Sequence, residues 1–121
     1  MHSDNALIHA AALIMRCGLA RGDRGGIGAP MCALGAIDEA IPYEVTGSHH
    51  RKRAAAVTKL AAVVRLLIPT EGVEDEYNDY RTPHLVTPDC EDDAAVIAAW
   101  SNMIAKDAED VAARLREAAN Q

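Results

Sequence analysis

Apolar positions recur at helical spacing in five stretches of this chain, and glycine or proline marks the gaps between them. Leu7, Ile8, Ala11, Ile14 and Met15 form one face of a first helix, which Ser3 or Asp4 caps and Gly18 ends. Four glycines within residues 22–28 then predict a loop. A short second helix runs from Pro30 to Ala40, with Ala33, Leu34, Ile37 and Ile41 inward, Asp38 and Glu39 in water and Pro42 as its stop. Ser48 opens a third helix reaching Ile68. Its stripe is Val57, Leu60, Ala61, Val64 and Ile68, and Val63, Leu66 and Leu67 widen it into a central element.

Residues 69–90 interrupt this pattern with three prolines and a dense acidic run, leaving room for a short extended piece at His84-Leu85-Val86. About twenty residues without a helical period exceed the usual connection in a compact domain, which points to a mobile or functional segment. A fourth helix begins at Glu91-Asp92-Asp93, where its dipole favours negative charge, and lines up Val96, Ile97, Trp100 and Ile104. A fifth begins at Asp107, with Asp110 three residues on and Val111, Leu115 and Ala118 inward. The predicted fold is all-α, one compact domain over residues 1–121 with about five helices and one long irregular acidic loop.

Composition supports closely packed helices. There are 24 alanines, one Trp, three Tyr and no Phe in 121 residues, and alanine both favours helix and lets backbones approach. Gly35, inside the second helix, fits a close contact with a neighbour. The net charge of −6 is uneven: residues 1–60 sum to +2 and residues 61–121 to −8. That balance excludes a broad electrostatic footprint for nucleic acid. Three separated cysteines suit a reducing cytoplasm better than a disulfide framework. Met1-His2-Ser3-Asp4-Asn5 lacks the positive start of a signal peptide, and no stretch reaches the ~18 apolar residues of a membrane span.

Two segments carry a resemblance. Ala6-Leu7-Ile8 through Gly18, a glycine loop and Cys32-Ala33-Leu34-Gly35-Ala36-Ile37 resemble the opening of an uncharacterised family of small helical proteins. These occur in high-GC Gram-positive bacteria and their phages. Near the C-terminus, Trp100-Ser101-Asn102, followed by Asp107 to Leu115-Arg116-Glu117-Ala118-Ala119, is similar to that family's Trp-Asn-Asp type turn and closing helix. The chain departs from the pattern at Leu19, where an aromatic is frequent, and at Asn102, which Met103 follows. Residues 42–90 carry no resemblance. What the likeness implies is a helical fold and a bacterial or phage setting, with no activity attached.

Chemistry-bearing residues are few. Cys32, after the glycine loop and in the first turn of the second helix, is the best candidate for a thiol nucleophile, with His49, His50 or His84 as a base if the fold brings one close. The same cysteine reads better as a small buried hydrophobe, since no local nucleophile signature accompanies it, and Cys32, Gly35, Trp100 and Leu115 are the expected structural core. Arg51, Lys52 and Arg53 form one basic cluster that opposes the dipole of the third helix, suiting an anion or a nucleic-acid backbone. Glu74, Asp75, Tyr77, Asp79 and Tyr80 form an acidic, tyrosine-bearing strip suited to docking a protein. Neither metal-ligand spacing nor a phosphate-loop pattern is present, so no metal or cofactor is expected. The expected function is a non-enzymatic protein-interaction module, with a thiol enzyme using Cys32 or a nucleic-acid contact through Arg51, Lys52 and Arg53 as alternatives.

Overall fold

The five apolar stripes fold as five α-helices among the residues the computed structural model describes, namely 2–22, 28–42, 45, 47–77 and 84–121. They are α1 (His2–Cys17), α2 (Ala33–Ala40), α3 (Ser48–Val64), α4 (Asp93–Ala99) and α5 (Ala108–Ala119). A 3-10 turn over Arg65–Leu67 extends α3, and a π-helical turn over Trp100–Ile104 extends α4. Two short antiparallel strands, β1 (Val73–Asp75) and β2 (His84–Val86), lie within the long acidic segment. The protein is therefore mostly helical rather than all-α. His84-Leu85-Val86 does extend, because Val73 and Val86 pair on an inward-facing register and draw it onto the core.

Local chemistry explains most helix ends. Gly18, at a φ of 99°, ends α1 while its N–H donates to the Ile14 carbonyl at 2.9 Å. Asp92 caps α4 by accepting from the Ala95 N–H, and Asp107 caps α5 by accepting from the Asp110 N–H at 2.8 Å. Asp110 accepts in return from the Lys106 N–H. The second helix starts three residues after Pro30, because Met31 is held extended beside α1's exit. Its N–H donates to the Gly18 carbonyl and its carbonyl accepts from Ala20, both at 3.0 Å.

One continuous apolar core joins all five helices. Helix α1 packs chiefly on α5 and then on α2, and α3 packs on α4 and α5. Leu7, Ala10, Ala11 and Ile14 face inward from α1, whereas Ile8 and Met15, expected on that face, are about half exposed. The expected widening of α3 also fails at its end: Leu66 is 85% exposed and Leu67 39%, while Ile68 is buried. The 3-10 turn has three residues per turn, so side chains after Val64 rotate off the buried stripe. Trp100 is buried beneath α4, with Cys32, Gly35 and Leu115 also inside.

Burial gives these positions distinct expected costs. Trp100→Ala should lose about 3–5 kcal/mol in a urea titration and Leu60→Ala about 2–5 kcal/mol, each leaving a cavity. Leu66→Ala should change stability by no more than about 0.5 kcal/mol. A small loss at Trp100, or a large one at Leu66, would contradict the packing described.

Candidate functional site

A buried polar cluster sits where the glycine loop, the hairpin and the π-turn meet. It starts at Asp75, whose position on β1 places its side chain on the inward register with Val73 and Val86, at 4% exposure. The Asn102 amide nitrogen donates to both carboxylate oxygens, at 3.1 and 3.2 Å, and the Tyr77 N–H donates to one of them at 3.1 Å. Charge-assisted bonds of this kind are stronger than neutral ones and offset part of the cost of burying the carboxylate. The Asn102 side-chain oxygen accepts from the Gly22 N–H at 2.7 Å, which fixes the start of the glycine loop.

The π-turn makes this geometry possible. Its marker is the bond from the Ala105 N–H to the Trp100 carbonyl, spanning five residues at 2.9 Å. Trp100, Ser101 and Asn102 are consecutively buried. The Ser101 hydroxyl accepts from the Ala33 N–H at 3.1 Å, and so satisfies an N-terminal donor of α2 that the Cys32 side chain does not cap. Arg21 closes the other end. Its guanidinium donates to the carbonyls of Ser101 and Asn102 from one nitrogen and of Ala105 and Lys106 from the other, over 2.7–3.3 Å. These are carbonyls that a helix end leaves without intrahelical partners.

Gly22 is required here by its neighbour. It has a φ of 73°, and a Cβ at that position would fall 2.6 Å from the Tyr77 Cβ. Tyr77 thus lies directly over the loop's first residue and remains 46% exposed. The hairpin is fastened from its inner face, and its outer face carries the Glu74–Leu85 pair, with Leu85 57% exposed. A second clamp holds the chain leaving β2. Arg65 donates to the carbonyls of Pro88, at 2.8 Å, and Cys90, and pairs with Asp93. The Thr87 hydroxyl and Asp89's own backbone hold the Asp89 carboxyl below its ordinary range.

The structure divides the expected docking strip. Glu74 and Tyr77 lie on the surface, Asp75 is turned inside, and Asp79 and Tyr80 fall outside the described residues. The buried Ser101 and Asn102 and the half-buried Arg21 were not legible as a site, although two polar residues following Trp100 on an apolar stripe are the trace they leave in sequence. Cys32 occupies the N-cap of α2 at 5% exposure, one residue before the first turn. Of the basic cluster, Arg53 forms an ion pair with Asp38 of α2 at 2.6 Å, so Asp38 does not simply face water. Lys52 lines a shallow groove of about 190 Å³ with His9 and Pro42. Among the described residues no three His, Cys, Asp or Glu side chains converge as metal ligands, and no helix is long and apolar enough to cross a membrane.

Removing the cluster's hubs should show in stability. Asn102→Ala strips Asp75 of two donated bonds and leaves the Gly22 N–H without its partner, a loss of about 2–4 kcal/mol in chemical denaturation. Arg21→Ala should cost about 1.5–3 kcal/mol. Arg21→Lys should recover little of that, because an ammonium cannot span four carbonyls with two nitrogens. Near-neutral effects of both Asn102→Ala and Arg21→Ala would show that the cluster is incidental to the fold.

No curated protein and no solved structure matches the chain. A family model matches residues 3–121, running through the π-turn, the hairpin and the stretch between α2 and α4 without interruption. The chain belongs to that family, a family of unknown function designated DUF6197.

Proposed function

We propose that this protein is a non-enzymatic interaction module, an accessory protein of a bacterium or its phage that works in the cytoplasm by binding another protein at the hairpin end. The observation that carries this reading is the set of large apolar side chains displayed there. Leu85 is 57% exposed on the outer face of a hairpin whose inner face is tied to the core, Tyr77 is 46% exposed just after β1, and Leu66 and Leu67 are 85% and 39% exposed on the turn that ends α3. Exposed apolar side chains grouped on a surface and rimmed by polar residues characterise interaction sites. The turn after α3 connects them: the Gly72 N–H donates to the Pro69 carbonyl at 2.8 Å, and Leu85 reaches to 3.1 Å from where a Gly72 Cβ would lie. Fastening the hairpin from within reduces the ordering that binding would otherwise cost.

A crosslinking experiment tests the location directly. The full-length protein would carry a photo-crosslinking residue at position 66, 85 or, for comparison, position 8, an exposed apolar site on α1. Expressed in a high-GC Gram-positive bacterium, positions 66 and 85 should capture the same defined protein, and native mass spectrometry should return it as a stoichiometric companion. Capture from position 8 alone, or none from any position, would remove this surface from consideration. Deleting the whole hairpin is a poor test, since it also removes the buried Asp75.

A further inference from the structure

We infer that the partner at the hairpin end is a Lys/Arg-rich protein segment carrying apolar anchors, an inference that rests on the interaction surface proposed above. The argument is the charge surrounding the exposed leucines. Residues 66–93 contain nine Asp or Glu and a single Lys or Arg. Glu71, Glu74, Glu76, Asp89, Glu91 and Asp92 are all exposed. None of the described residues in that stretch is Lys or Arg. Arg65, the described cation that adjoins this stretch, is engaged by two carbonyls and Asp93.

Among the described residues of this stretch the charge is therefore acidic, and Glu74 stands directly opposite Leu85 on the outer face of the hairpin. Carboxylates within a Debye length, about 10 Å at 0.1 M salt, act jointly on an approaching partner. Cations around an apolar anchor are the chemistry that complements this surface. A second copy of the chain docking end to end would bring the same carboxylates and be repelled, as would a nucleic acid or an anionic membrane.

The test uses the full-length protein and two model peptides of identical spacing, one of leucine and lysine and one of leucine and glutamate, with binding followed by isothermal calorimetry. The leucine–lysine peptide should bind one to one and weaken as salt rises. Leu66→Ser with Leu85→Ser should weaken it about tenfold or more. Glu74→Gln with Glu76→Gln should weaken it roughly three- to tenfold at low salt. Glu39→Gln with Glu109→Gln removes two exposed charges elsewhere and should leave binding unchanged.

Four results would overturn the inference. The first is equal binding of the leucine–glutamate peptide with the same dependence on Leu66 and Leu85, which would keep the docking surface and discard the cationic partner. The second is an equal loss in the Glu39/Glu109 variant, which would mean diffuse attraction. The third is no binding of either peptide. The fourth is self-association of the protein through Leu66 and Leu85 in ultracentrifugation, which would make the occupant a second copy. Crosslinking from positions 66 and 85 reads the surface independently of all four.

Discussion

A carboxylate withdrawn from water needs donors, and at Asp75 that need connects the hairpin to the end of α4. Asn102 supplies two of the bonds and the Tyr77 N–H a third. Asn102 reaches Asp75 only from within a π-turn, and its oxygen then holds Gly22. Gly22 must be glycine because Tyr77 lies over it. The hairpin, the loop after α1 and the end of α4 are thus positioned by one set of polar contacts. Partial satisfaction of such a set is worse than none, so its members act as a unit.

Around this cluster the protein is built from small side chains. Alanines on α1, α3 and α5 bring helix backbones close, and Trp100 supplies bulk at the junction with α4. That division leaves the surface free to vary. Ile8 and Met15 are exposed on α1, while Leu85 is exposed on the hairpin opposite Glu74. The same folding interactions hide one carboxylate, Asp75, and leave Glu74 and Glu76 on either side of it facing out.

Helices and most of their caps were legible in the sequence where their causes are local, although α1 already begins at His2, ahead of the expected caps Ser3 and Asp4. Gly18 ended α1, Pro42 stopped α2, and Asp107 with Asp110 opened α5, each acting within four residues of its effect. Features set by distant partners were not legible. Met31 remains extended because it bonds to Gly18 and Ala20, which delays α2. Leu66 and Leu67 continue an apolar stripe on paper, yet a 3-10 turn swings them outward. Asp75 reads as one more acid in a solvated run. A three-residue strand is too short to reveal its inward register, and its main partner lies 27 residues further along.

The π-turn has one more consequence. A five-residue bond holds one residue more than an α-turn, so the segment from Trp100 to Ala105 counts residues as well as orienting them. Deleting one residue there would restore a smooth helix and swing every later side chain by about 100°, the step of an α-helix. Asn102 would leave Asp75, and the carbonyls that Arg21 grasps would turn elsewhere. Between Trp100 and Ala105 the number of residues, and not only their identity, is set by the fold.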